Sequence, residues 1–326
     1  MAASATELAT RIRGGIERII VGNDRTSFAF LVALLGNGHI LVEGVPGTAK
    51  TLFVRLLSAL LGVTFRRIQF TPDLMPSDVV GTTVFNPKTA EFSLRRGPIF
   101  TSLLLADEIN RTPPKTQSAL LEAMEERQVT IDGESEPLDG LFMVCATQNP
   151  IEFEGTYPLP EAQLDRFFVR ARTEYPSEGE ERSLLARSVA GFDARDLSAA
   201  GVEKVATADD VLAAQREVRA IYVAESLQGY IYQIVARTRS SNDLALGASP
   251  RAALALLIAT QAAAAIEGRD FATPDDVKAV APLVLPHRLI LRPESEVEGL
   301  NADTIVARIL AAVEVPKNVT RPATPA

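Results

Sequence analysis

An apolar run, His39–Glu43, leads directly into Gly44, Val45, Pro46, Gly47, Thr48, Ala49, Lys50 and Thr51, and a helical pattern opens at Thr51. This order of strand, loop and helix constrains the chain more than any other feature. A glycine-containing loop at a helix start turns its backbone N–H groups inward, and the helix dipole adds positive potential there. Such a loop suits a phosphate group. Lys50 is placed to neutralise β- and γ-phosphates, and the Thr51 hydroxyl to ligate Mg²⁺. The general pattern has glycine just before the lysine. Here that position is Ala49, whose side chain is short enough to let phosphate approach. The plainer reading is a simple turn between strand and helix. Lys50-Thr51 and the carboxylates downstream argue against it.

Leu103–Ala106 is a second apolar run, and it ends in Asp107 and Glu108. A buried strand of this kind brings its charged end out at the C-terminal edge of a sheet, where α/β folds bind ligands. Asp107 is the candidate second Mg²⁺ ligand, through water, and Glu108 the residue that polarises an attacking water. Asn149, in Ala146–Pro150, ends a further apolar run and could bond the γ-phosphate or the water; alone it reads as an Asn-Pro turn.

The first half alternates apolar runs with helical patterns, which signals an α/β fold on a parallel sheet. The candidate strands are His39–Glu43, Phe65–Phe70, Ser102–Asp107, Leu141–Thr147 and Phe167–Arg172, with helices at Thr51–Leu61 and Lys115–Glu126. Near Tyr175–Glu181 proline, glycine and acids cluster as in a linker, and the pattern beyond is helical. Thr207, Ser249 and Thr273 read as helix N-caps, the last two followed by Pro250 and Pro274. With 326 residues the chain exceeds what one core usually organises. The expectation is an αβα nucleotide-binding core over residues 1–174 and a smaller, mostly helical lid over 175–326.

Composition excludes several alternatives. The net charge of −8 draws the whole chain neither to nucleic acid nor to acidic membranes, and Arg66-Arg67 and Arg95-Arg96 read as solvated surface pairs. One cysteine, Cys145, permits no internal disulfide, and two distant histidines, His39 and His287, offer no zinc spacing. The apolar stretch Ala252–Ile266 is too short to span a bilayer and reads as a packed helix. No targeting segment is visible, so the expectation is a soluble, cytoplasmic protein with no membrane insertion.

Several stretches together resemble the MoxR branch of the AAA+ ring ATPases, with the magnesium-chelatase ATPase subunit as a neighbour. They are Val21-Gly22, Gly44–Gly47, Gln69–Asp78, Gly97-Pro98, Asp107–Arg111, Thr147–Pro150 and Glu161–Phe167. The resemblance implies a five-stranded AAA+ core with a lid, ATP and Mg²⁺ as cofactors, and a homo-oligomeric ring, most often a hexamer. It implies that Arg166 is an arginine finger reaching a neighbour's γ-phosphate. It implies that Arg251 is a sensor arginine touching nucleotide across the domain cleft, and that Val21 and Gly22 pack on adenine. It makes residues 79–100 and 127–138 inserted hairpins facing a pore or a partner; ordinary surface hairpins remain the alternative. The implied output is chaperone-like remodelling, activation or maturation of a protein partner carrying a von Willebrand factor A domain. Metal insertion into a porphyrin and a DNA-processing motor are the rival readings.

Overall fold

The computed structural model describes residues 4–317 apart from Pro46, Thr89, Asp139, residues 150–154, Arg195 and Ser198. Two helices, α1 (Ala5–Ile19) and α2 (Asp24–Leu35), open the chain. β1 (Ile40–Gly44) runs into α3 (Lys50–Leu61), and β2 (Phe65–Gln69) follows. The short α4 (Pro76–Val80) and a hairpin, β3 (Gly81–Asn86) with β4 (Glu91–Arg96), precede β5 (Leu103–Asp107). Then come α5 (Pro114–Glu126), a second hairpin of β6 (Gln128–Ile131) and β7 (Glu134–Pro137), and β8 (Met143–Gln148). The single turn α6 (Glu161–Leu164) enters β9 (Val169–Thr173). The rest is helical: α7 (Glu178–Val189), α8 (Ala208–Arg219), α9 (Glu225–Arg239), α10 (Pro250–Ile266), α11 (Pro274–Val284), α12 (Pro293–Val297) and α13 (Ala302–Ala312). A small antiparallel ribbon, β10 (Leu244–Leu246) with β11 (Ile290–Leu291), lies among these helices.

β2, β5, β8, β1 and β9 form one parallel sheet in that spatial order. The five strands expected from the apolar runs are all present, displaced by one or two residues. The displacement reaches two residues at the starts of β8 and β9. Leu141 and Phe142 are buried but precede the ladder, so hydrophobicity alone extends the strand too early.

The central strands β1, β5 and β8 are buried on both faces, and the period of two along each sorts its side chains. Ile40, Val42, Leu103, Leu105, Met143 and Cys145 enter the core on one side, and Leu41, Leu104, Ala106, Val144 and Ala146 that on the other. The first core also contains α1, α2 and α3 together with α8, α9, α10 and α11, so the C-terminal helices share one apolar interior with the N-terminal ones. The second lies beneath α4, α5 and the β6 strand. Cys145 is buried within β8, as expected of a small core residue.

All three expected helix starts are N-caps as read. Thr207 accepts from Asp210 N and Ser249 from Ala252 N. At both Thr207 and Thr273 the hydroxyl and the N–H also donate to the aspartate three residues on, Asp210 and Asp276. The run Ala252–Ile266 is α10, with most of its alanines buried. Among the described residues no helix is long and apolar enough to cross a membrane.

Candidate nucleotide site

β1 delivers its last residue against the end of β9. A Cβ at Gly44 would lie 2.0 Å from Thr173 Oγ1, so this position accepts glycine alone. Thr48 ties the loop down: its hydroxyl donates to the Val45 carbonyl at 3.0 Å and lies 2.8 Å from Thr173 Oγ1. Pro46 lies outside the described residues. Gly47 and Ala49 both take the left-handed conformation, with φ of 85° and 60°. Ala49 is the N-cap of α3, where an L-residue is strained and glycine is not. Lys50 closes over the loop and donates to the Gly44 carbonyl at 2.6 Å. Burial draws the lysine below its usual value, while Asp107, Cys145 and Glu108 act against that shift.

The acidic strand end is braced by its neighbours. Thr147 on β8 donates to Asp107 Oδ1 at 2.6 Å and accepts from the Glu108 N–H at 2.9 Å. On the other side β2 pairs Gln69 with Asp107 in register. Arg67 is exposed, as the sequence suggests, and it also reaches Asp107 Oδ2 at 2.6 Å. Gln69 donates to Glu108 Oε2 at 2.8 Å, and Arg111 lies 3.0 Å from the same oxygen. Glu108 itself has φ of 58°, a conformation that turns the chain sharply at the end of β5.

These groups open into one cavity of about 490 Å³, a size ordinary for a small-molecule ligand. Gly47, Thr48, Ala49, Lys50, Thr51, Asp107, Glu108 and Asn149 line it, with Arg55, Thr147 and Ala194 among the residues not anticipated from sequence. Val21 and Gly22 are absent from the described lining. They join α1 to α2, and Gly22 abuts Glu180 of α7 so closely that a Cβ would lie 1.9 Å from its carboxylate. Thr51 and Asp107 offer a hydroxyl and a carboxylate on one cavity wall. That oxygen set suits Mg²⁺, which takes one or two protein ligands and completes its shell with water and phosphate. Among the described residues there is no cluster of three or more metal-ligating side chains, so the site does not resemble a dedicated metal cage.

Arg166 lies elsewhere. It precedes β9, whereas the phosphate loop follows β1, and the two strands are parallel neighbours. Arg166 is therefore at the N-terminal edge of the sheet and the loop at the C-terminal edge. Five residues at ~3.3 Å each put roughly 15 Å of strand between the two edges. Arg251 requires a correction. The sequence reading has it touching nucleotide across the domain cleft. The structure instead places it beside Arg166, in a cavity lined also by Asn37, His39, Arg127 and Arg288. Glu125 of α5 joins the two arginines: Arg166 Nε is 3.1 Å from Oε2, and Arg251 Nη1 donates to Oε1 at 2.9 Å. The helix that carries Arg251, α10, starts from Ser249, whose hydroxyl donates to Asp165 at 3.2 Å. Asp165 also takes a 2.6 Å bond from the buried Arg288. The α10 start is thus fastened to the Arg166 turn and not to the phosphate loop.

Arg288 carries a signal in the sequence. It interrupts the apolar stretch Val284–Leu291, and an arginine there must be paired when buried. Gln69 and Arg67 are separated by two on a strand, so they share a face beside the acidic strand end. Glu125 gave no such signal, because its partners come from two distant segments.

A parallel sheet in this order, with the phosphate cradle at its C-terminal edge and helices continuing beyond β9, is the architecture of an AAA-type ATPase. Residues 39–169 match the ATPase family associated with various cellular activities (AAA), and residues 236–309 match the AAA lid domain. The protein YeaC of Bacillus subtilis is 50% identical over 92% of both chains. Chaperone MoxR1 of Mycobacterium tuberculosis is 42% identical over 93% of this chain and 81% of its own. The crystal structure of a candidate ATPase from Cytophaga hutchinsonii superimposes with a TM-score of 0.87 at 40% identity, covering 96% of each chain. The chain belongs to the MoxR family of AAA+ ATPases, and it is an ATPase.

Proposed function

We propose that this ATPase hydrolyses Mg²⁺-bound ATP at interfaces between copies of the chain in a ring of six, and that the cycle remodels a protein partner. The observation that carries the reading is the placement of Arg166 and Arg251 together, on the sheet edge opposite their own phosphate loop. Two guanidiniums so placed serve no phosphate of their own chain. They suit the γ-phosphate of an adjacent chain, where charge builds in the transition state.

The division of labour follows from the geometry. Lys50 neutralises the β- and γ-phosphates, and the loop N–H groups hold them. Thr51 and Asp107 would hold Mg²⁺, which would supply neutralisation of phosphate charge. Glu108 polarises water once it exchanges its contacts with Gln69 and Arg111, and Asn149 bonds the γ-phosphate or the water. Val21 and Gly22 pack at the adenine end, beneath α7. Residues 1–174 act as the nucleotide-binding core and 175–326 as the lid, in the cytoplasm.

Partner selection falls to the hairpins. Phe85 and Phe92 face each other across β3 and β4 with ring centroids 5.1 Å apart, and Phe92 is 73% exposed. An apolar pair held out on a hairpin favours a protein contact. Glu136 of the second hairpin is paired with Arg96 at 3.1 Å, which leaves Glu91 and Glu134 as the better acidic ligands for a metal-presenting von Willebrand A domain. MoxR1 carries the name chaperone, which agrees with a remodelling output.

Mixing variants tests the interfacial site. Lys50→Ala and Arg166→Ala are each expected to be inactive alone. In mixed rings some interfaces join an intact loop to an intact Arg166, so part of the activity returns. If no ratio recovers hydrolysis, the interfacial reading fails.

A further inference from the structure

The carboxylate of Glu125 stands between the two arginines, one oxygen on each. Its position is not one that helix stability selects. Glu125 and Glu126 occupy the last turn of α5, which has no basic residue there, so both carboxylates face the negative end of the helix dipole. What compensates Glu125 is the pair of guanidiniums brought to it from the β9 approach and from the start of α10. All three groups remain partly exposed, with side-chain accessibilities of 31% to 47%. Ion pairs of that kind are weak and screened by salt, and they exchange readily for a stronger anion.

We propose that Glu125 is the resting counter-ion of Arg166 and Arg251. It holds the pair together while no nucleotide of a neighbouring copy faces them, and it yields them to that nucleotide's γ-phosphate. The inference rests on the interfacial reading above. A doubly used carboxylate suits the task. Without it two like charges at this edge would repel each other and splay apart. With it they stay adjacent, yet every neighbour's phosphate must compete against it. Glu125 therefore sets how readily copies of the chain engage each other's ATP. It is a positioning residue, since it touches the arginines and not the nucleotide.

The test is the Glu125→Gln variant of the full chain, assayed for ATPase rate per subunit as a function of subunit concentration at saturating ATP and Mg²⁺. Glutamine keeps the shape and an acceptor oxygen but gives up the charge. The concentration for half-maximal activity should fall by about threefold to tenfold, as expected for losing two weak competing ion pairs, with the plateau rate unchanged. The difference from the parent should narrow at high salt. Circular dichroism checks that the variant folds. A purely structural role would raise the midpoint or lower the plateau, and either result, or an unchanged midpoint, overturns the proposal. In an Arg166→Ala, Arg251→Ala background Glu125→Gln should shift subunit association, measured by sedimentation with ATP, not at all. A shift there would mean general surface charge and also overturns it. Failure of the underlying reading looks different: full turnover in Arg166→Ala and Arg251→Ala themselves.

Discussion

Gln69 Nε2 donates to Glu108 Oε2 at 2.8 Å, so the neighbouring strand holds the carboxylate that is to act on water. A hydrogen bond of this type to a charged group contributes ~1.5 kcal/mol and makes the carboxylate a poorer base. Gln69→Ala should leave Glu108 held by Arg111 alone and raise the basal ATPase rate by up to about tenfold, the equivalent of that energy. ATP affinity should stay the same. A steady-state kcat and KM pair on the variant checks this. A fall in kcat would mean that Gln69 aims Glu108 and does not restrain it.

Lys50→Ala and Glu108→Gln separate binding from chemistry. Lys50 is the cation nearest the loop carbonyl of Gly44, and its removal should abolish tight ATP binding. Glu108→Gln should bind ATP with near-parental affinity and hydrolyse it slower by at least about a hundredfold, the usual contribution of a positioned general base. Fluorescent-nucleotide titration and phosphate release measure the two effects. Parental binding by Lys50→Ala would remove the loop from the site.

Ala49 makes the phosphate loop strained in a way that sequence could flag but not locate. At φ of 60° an alanine costs about 1–2 kcal/mol over its preferred conformations. Glycine adopts that angle freely but gives up entropy in the unfolded chain. Ala49→Gly should therefore stabilise the protein by a net ~1 kcal/mol. Denaturant melts of parent and variant decide it, and a lower midpoint in the variant would refute the strain.

The fold was legible where periodicity and termini coincide. β1, β5 and β8 are apolar runs ending at a loop, an acid pair and Asn149, and each was placed within two residues. Lys50, Thr51, Asp107, Glu108 and Asn149 could be grouped because parallel strands send their C-terminal ends to one edge. Arg251 could not be placed in the same way. Its position depends on the Ser249–Asp165–Arg288 contacts, which join three segments far apart in sequence, and no local pattern encodes such a junction. Arg67 is a surface charge as its edge strand suggests, but its pairing with Asp107 depends on the neighbouring strand and has no local signal.

The two histidines provide a stability test that involves no nucleotide. His39 is buried at the start of β1. Val144 N–H donates to its Nδ1 at 2.9 Å, so Nε2 carries the proton and donates to the Met124 carbonyl at 3.0 Å. Burial, with Arg127 nearby, lowers its pKa to about 3. His287 is also buried and is held well below the usual value by burial, then by Arg288 and Arg170. Both imidazoles therefore stay neutral in the folded protein at mildly acidic pH, while an unfolded chain protonates them near ~6.5. Below that value unfolding takes up protons that the folded state refuses. The stability is fully present above pH ~6.5 and is lost progressively as pH falls toward the folded pKa. Each such proton contributes ~1.4 kcal/mol per pH unit. Between pH ~6 and ~5, above most carboxylate titration, two histidines should lower unfolding free energy by about 2–3 kcal/mol. Urea unfolding across that range measures the slope, and His39→Gln should reduce it by roughly half. A slope unaffected by the substitution would show that His39 takes up its proton in the folded state.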